Sequence, residues 1–155
     1  MAQVGQSAPD FTLKNTSHEV VTLSDLQGKA VVLAFFPAAF TGVCEKELCT
    51  FRDAMSAFND MNALVFGISV DSPFANAGFK QKTELNFELL SDYTRSTVTA
   101  YGIALPNFAG LQGYTASERA VFIVDAGGTI AYRWVGENPG VEPNYDEVAA
   151  EVAKL

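Results

Sequence analysis

Two long apolar runs, Ala30–Phe36 (AVVLAFF) and Ala63–Val70 (ALVFGISV), dominate the pattern of the chain. Neither alternates apolar with polar positions, so both faces of each must be buried, as in the central strands of a parallel or mixed sheet. Between them Val43, Leu48, Phe51, Ala54, Met55 and Phe58 recur near helical spacing and predict a helix from Val43 to about Asn59. Upstream, Phe11–Leu13 and Val20–Leu23 flank the polar stretch Lys14–Glu19, the pattern of a β-hairpin, and a tight turn follows at Ser24–Gly28. Downstream, Asp71-Ser72-Pro73 opens a helix that runs to about Leu85, with a capping residue and a proline in its first turn. Phe87–Leu90 reads as a short strand and Arg95–Tyr101 as a short helix. Gly102–Glu118 reads as a long loop with exposed apolar residues Leu105, Phe108, Leu111 and Tyr114. Ala120–Val124 and Thr129–Val135 flank Asp125-Ala126-Gly127-Gly128, a strong hairpin signal. A helix from Asn144 or Tyr145 through Lys154 closes the chain.

This order places parallel βαβ units before an antiparallel hairpin. It predicts an α/β fold: a central mixed β-sheet flanked by helices, in the thioredoxin-like arrangement, with an N-terminal β-hairpin extension. At 155 residues the expectation is one domain, 1–155. With 48% apolar residues its core needs no disulfide staple or structural metal. No run approaches the ~18 uninterrupted apolar residues of a membrane-spanning helix. The start MAQVGQSAPDF lacks the pattern of a signal peptide, so a cytoplasmic, reducing location is expected. The net charge of −8 argues against nucleic acid or an anionic membrane as partner.

Both cysteines lie within Phe35–Cys49, FFPAAFTGVCEKELC, where the first apolar run breaks at Pro37 and a small-residue loop leads into the helix. A free cysteine, with a pKa of roughly 8.5, is only a few per cent thiolate at neutral pH. A helix N-terminus favours the anion through unpaired N–H groups and the dipole. With Thr41 as N-cap, Cys44 falls at the third helical position, where a capping box places an acceptor for the N-cap N–H. The Cys44 thiolate is expected to take that acceptor's place; a buried, inert thiol is the alternative. A cation should complete the site. The only histidine, His18, falls in the hairpin turn, which disfavours a Cys–His couple, and no spacing supports a zinc site. Arg119, at the start of the strand Ala120–Val124, is the better candidate if neighbouring strands bring that end to the exit of Ala30–Phe36.

Pro37, Thr41 and Cys44 form a PxxxTxxC pattern. Together with the GQSAPDFTL start, the GISVDSP and LLSD segments and the arginine of RAVFIVD, it resembles the peroxiredoxins over essentially the whole chain. The nearest pattern is that of the peroxiredoxin Q (bacterioferritin-comigratory protein) and alkyl hydroperoxide reductase E types. The resemblance implies a thiol peroxidase acting on hydrogen peroxide and organic hydroperoxides, without a cofactor. Cys44 would be the peroxidatic cysteine, oxidised to a sulfenic acid. Thr41 would position the peroxide, Arg119 would stabilise the thiolate and Pro37 would shield the sulfur. The backbone N–H groups of Val43 and Cys44 would hold the peroxide oxygens. Glu47, three residues beyond Cys44 on nearly the same helix face, would orient Arg119 or be a solvated carboxylate.

The resemblance also casts Cys49 as the resolving cysteine; the alternative is an inert cysteine in a one-cysteine enzyme. Five helical positions separate the two Cα atoms by roughly 8.7 Å, and a disulfide needs less than about 7 Å. A Cys44–Cys49 bond therefore requires the helix to unwind locally. The reductant implied is thioredoxin or a glutaredoxin-like thiol. A homodimer through active-site loops is expected, with Phe108 or Leu111 in its interface. A general thiol-disulfide oxidoreductase would carry CxxC, whereas this chain has C-x₄-C; a non-catalytic module has no use for Pro37, Thr41, Cys44 and Arg119 together.

Overall fold

The computed structural model describes residues 2–155; Met1, the first residue of the expected domain, lies outside them. Strand β3 (Ala30–Phe35) is the spine of a seven-stranded sheet, and from Val31 on all its residues are buried. Its alternate residues feed two cores. Val31, Leu33 and Phe35 point into one, and Val32 and Ala34, followed by Phe36, into the other. An uninterrupted apolar run has this consequence, because side chains alternate faces and neither face meets water.

The hairpin β1 (Thr12–Lys14) and β2 (Val20–Thr22) forms one edge. Next come β5 (Glu88–Ser91) and β4 (Ala63–Ser69). Beyond β3 lie β8 (Ala120–Val124) and β9 (Ile130–Val135), giving the order β2-β1-β5-β4-β3-β8-β9. Strand β3 is parallel to β4 and antiparallel to β8, so the sheet is mixed as expected. The hairpin is continuous with the sheet through Lys14 opposite Ser91.

Helix α1 (Gly42–Asp60) sends Leu48, Phe51, Met55 and Phe58 into the second core. Phe79 of α2 (Pro73–Thr83) and Val148 and Val152 of α4 (Tyr145–Ala153) join them. On the other face α3 (Ser96–Ala100) contributes Val98, beside Tyr101. The capping signals hold: Ser72 accepts from Ala75 N–H at 3.1 Å and Asn144 from Glu147 N–H at 3.0 Å. Helix α3 begins one residue later than expected because Arg95 is left-handed (φ +64°). The buried carboxylate of Asp92 takes the N–H groups of Thr97 and Val98.

The segment 102–118 departs from the expected loop. Two short strands, β6 (Ala104–Leu105) and β7 (Ala116–Ser117), pair antiparallel across it, and Phe108–Gly110 forms a 3₁₀ turn. Two-residue strands carry no readable alternation, so the sequence pattern is blind to them. Of the four apolar residues expected to be exposed there, only Leu111 is. Leu105 is half-buried, while Phe108 and Tyr114 stack on each other and pack against the core.

Candidate active site

Register brings the two ends of the site together. Phe35 of β3 pairs with Ala120 of β8 in an antiparallel ladder, so the residue after Phe35 and the residue before Ala120 emerge side by side. Phe36 is held to β4 by its N–H bond to Ile68 C=O, and Pro37 then ends the ladder. Arg119 is thereby placed next to the segment that leads into α1.

Thr41 is the N-cap of α1, with extended backbone (φ −99°, ψ 147°), and Cys44 is the third helical residue. The helical ladder opens with Glu45 N–H to Thr41 C=O at 2.9 Å. The N–H groups of Val43 and Cys44 precede it and lie at the positive end of the helix dipole. The capping-box arrangement is not what forms. Cys44 Sγ accepts from Arg119 Nη2 at 3.1 Å, while the Thr41 hydroxyl turns back and donates to Ala38 C=O at 2.8 Å. A guanidinium brings full charge and a rigid fork, which outcompetes a backbone N–H for a soft sulfur acceptor.

Arg119 is 2% exposed and each of its three nitrogens has a partner. Nη2 meets Cys44, Nη1 meets Glu47 Oε1 at 2.9 Å, and Nε donates to Pro139 C=O at 2.9 Å. Burial works against its charge, but Glu47 and Cys44 outweigh burial and raise its pKa further. Glu47 is wholly buried in its ion pair with Arg119, so the solvated-carboxylate alternative falls. Burial pushes its carboxyl up to about 7, against the opposing pull of Arg119. Its second oxygen, Oε2, has no hydrogen-bond partner among the described residues.

Cys44 is fully buried. Above it an open cleft is lined by Pro37, Thr41, Val43, Phe108, Arg119 and Pro139. Pro37, Thr41, Val43 and Arg119 therefore border this cleft, and Cys44 and Glu47 both meet Arg119. Cys49 is half-buried, five residues along an unbroken helix, and both thiols are free. His18 sits in the hairpin turn with its ring 4.9 Å from that of Phe74.

Three contributors escape sequence reasoning. Pro139 supplies a carbonyl, a role no side-chain pattern records, although Asn138-Pro139-Gly140 is a visible turn signal beside the end of β9. Phe108, read as an interface residue, forms a wall of the cleft. Glu142 ties the 136–144 segment to α1 through Lys46 at 3.1 Å and accepts from Tyr145 Oη at 2.7 Å.

The model of the AhpC/TSA family matches residues 4–133. The bcp peroxiredoxin of Coxiella burnetii is 41% identical over 132 residues, covering 85% of this chain and 87% of the relative. Peroxiredoxin Bcp of Bacillus subtilis is 37% identical, covering 85% of this chain and 84% of the relative. The crystal structure of peroxidoxin BcpB from Mycobacterium tuberculosis superposes with a TM-score of 0.87 at 28% identity, covering 100% of this chain and 99% of that one. No helix among the described residues is long and apolar enough to cross a membrane. The chain belongs to the AhpC/TSA family, among the Bcp- and Q-type peroxiredoxins, and is a thiol-dependent peroxidase.

Proposed function

We propose that Cys44 is the peroxidatic cysteine and that Arg119, Thr41, Pro37 and the helix N-terminus prepare it for displacement at a peroxide oxygen. The observation that carries this reading is the buried Cys44 sulfur 3.1 Å from a guanidinium that three partners hold in place. The Cys44 thiolate attacks the distal oxygen of the peroxide. An S–O bond forms as the O–O bond breaks, Cys44 becomes the sulfenic acid, and the leaving alkoxide or hydroxide takes a proton from solvent. The negative charge moves from sulfur to the leaving oxygen. Arg119 and the N–H groups of Val43 and Cys44 stabilise it along that path, already oriented before reaction. The Thr41 hydroxyl, whose hydrogen is committed to Ala38, offers its lone pairs to the O–H of the peroxide. Pro37, buried beside the sulfur, excludes water. Glu47 and Pro139 fix the guanidinium.

Cys49 resolves the sulfenic acid: its thiol attacks Cys44, the S–S bond forms and water leaves. The intact helix forbids that bond by distance, at roughly 8.7 Å between Cα atoms. The first turns of α1 therefore unwind, releasing Arg119 from Cys44 and Glu47. Two thiols of thioredoxin or a glutaredoxin-like protein then reduce the disulfide, in a cytoplasmic setting. The exposed Leu111, whose N–H bonds to the carbonyl of the cleft residue Phe108, supports a homodimer that meets through the active-site loops. Replacing it with Glu is expected to give a monomer by sedimentation.

Peroxide consumption with dithiothreitol tests the site. The wild-type protein turns over and Cys44→Ser does not; retained turnover in that variant would remove Cys44 from the reaction. Mass spectrometry after one equivalent of peroxide tests resolution, since a lasting Cys44 sulfenic acid with no Cys44–Cys49 bond excludes Cys49.

A further inference from the structure

Two acidic groups share the single buried guanidinium: the Cys44 sulfur on Nη2 and the Glu47 carboxyl on Nη1. Both are fully buried, so with both ionised the pocket would carry one anion more than it has cations. The surroundings of Glu47 do not supply the missing charge. Arg119 lies at the head of β8 and Cys44 one turn back on α1. Glu142, on the 136–144 segment, is a like charge that raises the Glu47 carboxyl further. Tyr145, at the start of α4, gives its hydroxyl to Glu142. Lys46 on α1 is largely exposed and paired with Glu142. Glu47 Oε2 meets no donor among the described residues, and an unpartnered oxygen is far cheaper to bury neutral than charged.

On the reading of Cys44 given above, we infer that Glu47 holds a proton in the most reactive state of the site, in which Cys44 is the thiolate, so that Arg119 serves one buried anion, the sulfur. In that state Glu47 Oε1 still accepts from Nη1 and fixes the fork without competing for its charge. The upward push that burial gives the carboxyl agrees with this arrangement. As pH rises through neutrality Glu47 loses its proton, a second anion draws on Arg119, and the attacking sulfur loses part of its electrostatic support. Glu47 is thus a positioning residue whose protonation gates the site.

The test is the second-order rate of Cys44 oxidation by hydrogen peroxide, followed from about pH 5.5 to pH 9 in single-turnover experiments on the full chain. The wild-type rate is expected to fall by about fivefold or more on the alkaline side of neutrality. Glu47→Gln, which keeps an acceptor for Nη1 but cannot ionise, is expected to lose that alkaline limb. Glu47→Ala lacks the acceptor and is expected to lower the rate at every pH. A wild-type profile that stays level above neutrality, or a Glu47→Gln profile of wild-type shape, overturns the inference. Should Glu47→Gln fail to fold, infrared spectra of the wild-type protein decide. The carbonyl band of a buried carboxylic acid, present in mildly acidic buffer and lost as pH rises through neutrality, supports it; the absence of that band overturns it. If Cys44→Ser retains peroxidase activity, the assignment of the site fails instead, whatever the Glu47 profile.

Discussion

Arg119 and Cys44 are 75 residues apart in the chain and 3.1 Å apart in the fold, joined at the point where antiparallel β3 and β8 release their ends. The fork of Arg119 meets sulfur, carboxylate and carbonyl at once. Lysine keeps the charge but has a single nitrogen that cannot span these partners. Arg119→Lys is expected to lower the second-order rate with peroxide by about 10²–10³-fold, the cost of losing one preorganised donor to developing charge. A loss of less than about fivefold in stopped-flow assays would show that charge alone suffices.

The Thr41 hydroxyl donates to Ala38 C=O, which leaves its oxygen as an acceptor facing the cleft. Thr41→Ser keeps that arrangement and Thr41→Val removes it at nearly constant volume. The valine variant is expected to lose about 10–100-fold in rate with peroxide, and the serine variant only a small fraction of that. A larger loss in the serine variant than in the valine variant would locate the role of Thr41 in its methyl group.

Much of this was legible in the sequence, for identifiable reasons. The long apolar run Ala30–Phe36 could only be a strand buried on both sides, and Thr41 and Pro37 punctuate the chain with strong local signals. The place of Arg119 was legible only as a possibility, because strand order decides which strand ends are neighbours. The capping-box expectation for Cys44 failed because a local rule met a charged competitor from a distant strand. The carbonyl of Pro139 and the short strands β6 and β7 have no side-chain signature. Periodicity put Glu47 on the face of Cys44 but left its burial open, because a carboxylate one turn on is ordinarily solvated and only the buried guanidinium from a distant strand holds it inside.

Gly67 lies in the middle of β4, where a Cβ would come 2.5 Å from Leu89 Cδ2 and 3.3 Å from Phe36 Cε1. The glycine makes room for the side chains of Leu89 and of Phe36, the residue before Pro37. Gly67→Ala is expected to destabilise the protein by about 1–3 kcal/mol through overpacking. Urea unfolding checks this; an unchanged midpoint would mean that Leu89 moves aside freely.

Glu47 gives stability its own pH dependence. Its carboxyl is raised from 4.5 unfolded to about 7 folded, with burial as the main cause and Arg119 opposing. The folded state therefore binds this proton more tightly, and the contribution is fully present below the unfolded value and lost as pH rises through about 7. Its size is about 3 kcal/mol at most. The difference in unfolding free energy between wild type and Glu47→Gln should shift by that order across this window, to the disadvantage of the wild type at higher pH. A difference that is constant with pH would mean that Glu47 is ionised throughout.

The central claim is that peroxide oxidises Cys44 and that Arg119 makes it able to react. The most direct measurement treats the Cys49→Ser variant, which cannot close the internal disulfide, with one equivalent of hydrogen peroxide and reads the intact mass and the peptide holding residue 44. The account predicts one added oxygen, on Cys44, formed rapidly in this variant and far more slowly once Arg119 is also replaced. Oxygen on another residue, or equal rates with and without Arg119, would contradict it.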